Sequence, residues 1–215
     1  MQPVNKERQR KIRQSLASVP KANSQERQIY ELNKVASPFL RLPGEIRNRI
    51  YELVLDVGQI HVRYKRWEHR RKNGQLGYET IPGGFHCLAL KRRQNPWASG
   101  GVPISNKRGM TLLSGICRQL YHETSALPFG LNYWSFENVG VMDRLFFKEK
   151  RVTRAQRRAI TTVFSELPLT TTHDKAFEGL EQVLLKHGGK MVRLTRINFA
   201  GQPYLSWEVK TGWWV

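Results

Sequence analysis

Two cysteines, Cys87 and Cys117, in 215 residues are too few to staple a small secreted domain. No stretch approaches the ~18 consecutive apolar residues of a membrane-spanning helix. The opening MQPVNKERQRKIRQSL is charged and lacks the apolar core of a signal peptide. These absences point to an intracellular protein away from the membrane, with nucleus and cytoplasm both open. No G-x-S-x-G elbow, P-loop or dinucleotide-binding glycine pattern occurs. The nearest candidate metal-ligand pairs, His86-Cys87 and Cys117/His122, have neither C-x-x-C nor H-x₃₋₅-H spacing. On a helix, positions i and i+5 diverge by roughly 140°. Cys117 therefore reads as a small buried apolar residue and His122 as a surface polar group. No enzyme, cofactor or metal is expected.

Acidic residues are also scarce: 17 against 36 Lys and Arg, a formal charge of +19. Such an excess suits nucleic acid, an acidic protein or an anionic surface, or it is loop and tail composition. Hydrophobic residues reach 40%, within the globular range. They are sparse over residues 1–37, which read as a basic, disordered tail with helical pieces around Gln25–Lys34. Ser37-Pro38 marks the entry to a folded domain over residues 38–215.

The domain opens with LPGEIRNRIYELVL, Leu42 to Leu55. Pro43 suits a helix first turn. Ile46, Ile50, Leu53 and Val54 fall on one helical stripe, while Tyr51 and Leu55 lie well off it. The stripe residues Ile46, Ile50 and Leu53 are expected to face the core. Leu42, Pro43, Tyr51 and Leu55 are expected to form a second surface, against a partner or another element of the chain.

Residues 59–110 differ in kind. Gln59–Arg66 alternates like a strand, Phe85–Leu90 suggests another, and NGQLG, IPGGF and NPWASGGVP punctuate hairpins and long loops. Between residues 61 and 108, eleven cations face two acids, with Tyr64, Trp67, Tyr78 and Trp97 interleaved. Cations for phosphates and rings for bases make a single-strand nucleic-acid surface. Arg70, Arg71, Lys72, Lys91, Arg92 and Arg93 are the candidate contacts. Gly74-Gln75-Leu76-Gly77 also matches the G-x-x-G clamp of KH domains. A second cluster, Arg151, Arg154, Arg157 and Arg158, is expected on one helix.

Further on, residues 111–127 read as a helix closed by Pro128, and Asn132–Phe136 as a short aromatic strand. Residues 139–158 look helical. Ala159–Phe164 reads as a strand, Asp174–Lys186 as an amphipathic helix carrying Phe177, Leu180 and Leu184, and Val192–Phe199 as a strand. Strand, helix, strand in that order predicts a βαβ unit with a parallel pair. The terminal WEVKTGWWV suits a closing strand or the cut end of a longer product.

Two ordered motifs carry a resemblance. Leu42, Pro43, Glu45, Ile46, Arg47, Ile50 and Tyr51 are followed by Cys117, Arg118, Gln119, Tyr121, Glu123 and Thr124, then Asn132 and Phe136. This pattern, over about residues 39–165, resembles an F-box-like family abundant in filamentous fungi. The resemblance implies a protein–protein interaction module, with a substrate adaptor of a cullin–RING ubiquitin ligase as its specific form. Leu42, Pro43, Ile46, Ile50, Tyr51 and Leu55 would then meet the Skp-type linker. A true F-box continues into two more helices, whereas residues 59–66 look like a strand. Arg118 and Glu123 are expected to pair and, with Tyr121 and the Asn132 turn, to hold the Leu-Pro helix to the aromatic strand. The expected fold is α+β: a single mixed domain with an F-box-like N-terminal helix, a β/loop-rich basic insert and a C-terminal strand-helix-strand unit.

Overall fold

The computed structural model describes residues 18, 20–66, 68–71, 78–81, 83–98, 102–103, 117–167, 169–170, 173, 176–187, 190–197 and 206–210. The fold is α+β, and its contacts group into two compact units. The first comprises Met1–Asp56 and Ser105–Pro128, the second Val57–Ile104 and Phe129–Val215.

The first unit is helical. Helix α1, Gln25–Ala36, lies within the segment read as a tail. Ser24 caps it by accepting from the Arg27 amide at 3.3 Å, and Arg27–Glu31 braces it at i, i+4. It ends before Pro38, because a residue preceding proline disfavours the α region. Helix α2, Gly44–Leu55, is the Leu-Pro helix. Pro43 stands one position before it, at the N-cap, where its carbonyl accepts from the Arg47 amide. Helix α3, Arg118–Thr124, is shorter than the helix expected over 111–127: it begins after Cys117, whose backbone is extended at φ −152°, and residues 111–116 lie outside the described residues. It stops at Thr124, whose hydroxyl bonds back to the Leu120 carbonyl at 2.6 Å. Pro128 does not close this helix. It sits in the first turn of a separate short helix α4, Leu127–Leu131, where a missing amide costs nothing.

The second unit is built on an eight-stranded sheet. Its strands are β1 (Gln59–Lys65), β4 (Gly84–Leu90), β5 (Val102–Pro103), β6 (Tyr133–Phe136), β7 (Thr162–Ser165), β8 (Gln182–His187), β9 (Lys190–Ile197) and β10 (Ser206–Lys210). Strands β2 (Glu68–Arg71) and β3 (Tyr78–Ile81) form a separate hairpin within the basic insert. The order in the sheet is β10-β9-β8-β7-β6-β1-β4-β5. Strands β1, β6, β7 and β8 run parallel, and the strands outside them are antiparallel. Every residue of β7 is buried, as are residues 59–62 and 134–136, the pattern of parallel strands covered on both faces.

Registered residues share a face, so Ile60, Val62, Trp134, Phe136 and Val163 point one way. Their layer continues through Phe129 stacked on Trp134 at 4.8 Å, and through Phe146, which meets Phe136 at 5.5 Å and Phe177 at 4.8 Å. Phe146 comes from the β6–β7 crossover. There α5, Val139–Asp143, runs into a turn of π-helix, Arg144–Lys148, and α6, Arg154–Ala159, follows behind a Thr153/Gln156 capping box. Gly58, at φ +89°, turns the chain into β1, and a Cβ there would come within 3.1 Å of the Leu90 carbonyl.

Two expectations change in the β7–β8 crossover. The expected helix over Asp174–Lys186 is replaced from Gln182 by strand β8. Phe177, Leu180 and Leu184 are all buried, but the first two lie ahead of the strand and the third within it. A short apolar run buried on both faces has no alternation, so it mimics helical spacing. The expected parallel pairing of the strands at Ala159–Phe164 and Val192–Phe199 does not form: the parallel partner of β7 is β8, and β9 pairs antiparallel with β8 instead.

Gly179 lies so close to Arg158 that a Cβ would sit 1.9 Å from its carbonyl oxygen. Gly179→Ala is expected to cost about 1–3 kcal/mol by forcing backbone apart. Gly44, in the first turn of α2, has only the Arg47 side-chain tip within 4 Å. Gly44→Ala should instead add about 0.4–1 kcal/mol by restricting the unfolded chain. Urea unfolding of the two variants gives both signs.

Candidate functional site

The two sequence motifs meet at one carboxylate in the helical unit. Arg47 donates from Nε and Nη2 to both oxygens of Glu123, at 3.0 and 2.9 Å. Tyr51, one helical turn further, donates its hydroxyl to Glu123 Oε2 at 2.5 Å. Gln119, one turn before Glu123 on α3, donates to Oε1 at 3.0 Å. The Arg47 Nη1 then reaches back to the Leu40 and Leu42 carbonyls, tying down the chain that enters α2. Burial alone would raise the Glu123 carboxyl, but the hydrogen bonds from Arg47, Tyr51 and Gln119 and the Arg47 charge outweigh it and hold it low. Burial and the neighbouring carboxylate push the Tyr51 phenol up.

This corrects the expected pairing. The partner of Glu123 is Arg47, from the Leu-Pro motif, and Arg118 instead bonds the Ser18 carbonyl at 2.6 Å. Asn132 is fully buried and accepts the Val57 amide at 2.7 Å at the entry to β1.

The clamp also settles which face of α2 is inside: Ile46 and Leu53, expected toward the core, face out, while Tyr51 meets the Glu123 helix, one of the two settings the sequence allowed for it. Tyr51 and Leu55 are buried, at 0% and 3% exposure. Ile46, Leu53 and Val54 are exposed, at 50%, 69% and 53%. Leu42 and Ile50 are half-buried, and Pro43 is exposed at the N-cap. The outer part of the apolar stripe, Ile46 and Leu53, therefore faces outward, with Ile50 half-buried at its edge and an Arg49–Glu52 pair at 2.9 Å beside it.

The nucleic-acid candidates divide. Lys91, Arg92 and Arg93 form an exposed turn after β4, with Arg93 at φ +67°. Arg92 reaches the Leu131 carbonyl at 2.9 Å and lies 5.5 Å from the Tyr133 ring centroid. Arg70 and Arg71 are on β2, while Lys72 and the G-x-x-G segment fall outside the described residues. The second cluster is largely engaged. Arg154 and Arg158 clasp Glu178, Arg157 bonds the Val152 carbonyl, and Arg151, which precedes α6, pairs with Glu149. Cys117 is half-buried and His122 exposed. Among the described residues no group of three His, Cys, Asp or Glu side chains is placed to hold a metal ion. None of the described helices is long and apolar enough to cross a membrane.

Two histidines that stand in no motif, His61 and His173, are buried in the sheet unit. His61 Nδ1 lies 3.0 Å from the Ser135 hydroxyl, which also receives the Gln59 amide at 3.2 Å. With 1% exposure, this serine–histidine contact is sealed from any substrate. Burial, helped by the Arg63 charge, lowers His61 to about 4. His173 Nδ1 faces both the amide and the hydroxyl of Thr170, at 3.1 and 2.8 Å, and its Nε2 lies 2.7 Å from Asp143. A backbone N–H can only donate, so Nδ1 is the acceptor and Nε2–H donates to Asp143. The lone pair that could take a proton from Thr170 is thus shared with the amide. The triad-like order Thr170–His173–Asp143 fastens the β7–β8 crossover.

An α+β chain whose Leu-Pro helix is clamped by a Gln-x-x-x-Glu helix is what fold and site define. The chain belongs to the family described as Domain of unknown function (DUF7730), which matches residues 32–175, a span that includes both clamped motifs. No curated protein and no solved structure matches the chain.

Glu123→Ala would leave Arg47 and Tyr51 without their acceptor in a mostly buried site. It is expected to lower stability by about 2–3 kcal/mol, while Arg118→Ala stays within about 0.5 kcal/mol in the same denaturant titration. Folding lowers the His61 imidazole from its ordinary value of 6.5 to about 4. Its neutral form is favoured in the fold, so its stability contribution is complete above pH 6.5 and lost as the pH falls toward 4. On the order of 3 kcal/mol should disappear across that window, and His61→Gln should flatten the slope.

Proposed function

We propose that the chain is a non-catalytic protein–protein interaction module that docks a partner through the outward stripe of α2. The observation that carries this reading is the exposure of Ile46, Leu53 and Val54 on a helix whose opposite face is fixed by the Glu123 clamp. A clamped helix presents those side chains in one orientation, so little ordering entropy is lost on binding. An amphipathic stripe read as i, i+4, i+7 anchors is a recurrent way for helices to meet grooves. The specific form proposed is an F-box-like adaptor, with the stripe on the Skp-type linker of a cullin–RING ligase. The docking residues are then Ile46, Ile50 and Leu53 with Val54, beside Leu42 and Pro43. Tyr51 and Leu55 serve the core.

Exposure makes the test clean, because surface substitutions seldom shift stability by more than about 0.5 kcal/mol. The full chain should capture the purified linker, and Leu53→Asp and Ile46→Asp should each weaken capture at least tenfold with circular dichroism unchanged. No capture where a known F-box binds would rule out the adaptor form. A second reading, nucleic-acid binding, is favoured by the three consecutive exposed cations Lys91, Arg92 and Arg93. It would be supported if the chain instead bound single-stranded RNA with an affinity falling steeply with salt.

A further inference from the structure

The sheet unit carries an assembly of arginine and aromatic rings near the end of β1. Tyr64 and Phe85, registered partners on β1 and β4, meet edge to face at 5.1 Å. The β6–β7 crossover lays two arginines on them. The Arg144 guanidinium lies over the Tyr64 ring, 3.9 Å from its centroid, and Arg151 approaches the Phe85 ring at 6.0 Å. Both also bond Glu149, Arg144 to Oε1 at 2.8 Å and Arg151 to Oε2 at 3.0 Å. The Glu149 side chain is 14% exposed and that of Arg144 43%. The carboxylate therefore lies beneath, and the guanidinium is held on top.

A guanidinium held this way offers a ligand two things. It is planar, and with one face on Tyr64 the other is a platform on which a nucleobase can stack. Its hydrogen bond to Glu149 comes from Nε, and Nη1 and Nη2 bond no described residue, so they remain for phosphate oxygens. The chain on either side of Glu149 adds charge. Lys148 and Lys150 are exposed and pair with no described carboxylate. Lys150 is held at φ +48°, a left-handed conformation that non-glycine residues seldom adopt and that recurs at functional sites. Arg66, two residues past Tyr64, is exposed as well. The acids nearby are engaged: Glu149 bridges the two arginines, Asp143 faces His173, and Glu137 accepts the Tyr64 amide at 3.2 Å. Arg66, Arg144, Lys148, Lys150 and Arg151 against Glu137, Asp143 and Glu149 leave this surface positive.

We propose that this surface binds single-stranded nucleic acid. One base stacks on the outer face of Arg144, which is then sandwiched between that base and Tyr64, and the adjoining phosphates meet Lys148, Lys150 and Arg151. Cations beside a stacking plane are what such a strand requires. Tyr64 and Glu149 fix the guanidinium beforehand, so little ordering is lost on binding. The inference rests on the nucleic-acid reading but places the contact away from the Lys91–Arg93 turn, and it is independent of the α2 stripe.

The test is fluorescence anisotropy of a labelled oligouridylate against the full chain, beside an abasic oligonucleotide and polyglutamate of equal charge. Saturable binding is expected, tightest for the oligouridylate and falling steeply with salt. Arg144→Lys keeps the charge and removes the plane. It should weaken the oligouridylate about tenfold and leave the abasic strand unaffected, with circular dichroism unchanged. Lys148→Glu combined with Lys150→Glu should weaken both strands. The site is overturned by no saturable binding, by equal binding of the abasic strand or polyglutamate, or by oligouridylate binding that survives Arg144→Lys. Binding that survives Arg144→Lys but is lost in Lys91→Glu with Arg93→Glu would sink this site and leave the nucleic-acid reading standing at the turn.

Discussion

The helical unit turns on one carboxylate. Glu123 receives two N–H groups from Arg47, the Tyr51 hydroxyl and the Gln119 amide, which uses nearly all its acceptor capacity. An ion pair so largely withdrawn from water gains little net energy over an apolar contact. What it supplies is direction. The guanidinium is planar, and with both carboxylate oxygens engaged the rotation of α2 about its axis is fixed. Once Arg47 points at Glu123, Tyr51 must follow one turn later and Leu55 another turn on. Ile46 and Leu53 are then carried to the opposite side, with Ile50 half-buried on the flank. The exposure of the stripe is thus a geometric result of the clamp.

Charge is distributed unevenly along the chain. Among the described residues of the helical unit acids and bases are close to balanced, whereas the insert and the α6 region are rich in arginine. Much of that arginine is held in place. Arg144 lies over the Tyr64 ring at 3.9 Å and shares Glu149 with Arg151. Arg154 and Arg158 share Glu178. These exposed pairs add little stability individually. They do mean that a sequence count of cations overstates the charge presented to a ligand. The exposed 91–93 turn stands apart from those two carboxylate-bridged groups.

Much of the architecture was legible in the chain. The strands at 59–66, 85–90, 132–136 and 192–199, the Leu-Pro helix and the alliance of the two motifs all follow from period and punctuation. The errors share a cause. Periodicity reveals that a helix has an apolar side, not which side is buried. Here Tyr51 goes inside because its hydroxyl has a carboxylate to bond, and three aliphatic residues stay out. Arg118 looked like the partner of Glu123 because it is near in sequence, but 76 residues separate Arg47 from that carboxylate. The strand Gln182–His187 was hidden because a strand covered on both faces carries no alternation. His61 and His173 had no motif around them, and their partners Ser135 and Asp143 are distant along the chain.

The pairing of β1 with β6 has a kinetic consequence. His61 and Ser135 sit side by side in adjacent parallel strands although 74 residues separate them. No local hairpin can seed that ladder. The centre of the sheet must wait for a long excursion to close, which places the slow step of folding there rather than in the helices. The same arithmetic makes the excursion forgiving. Closure entropy grows only with the logarithm of length, so doubling it costs about 0.6 kcal/mol. The stretch between the two motifs is therefore free to lengthen or shorten while the register Ile60 with Trp134 stays put.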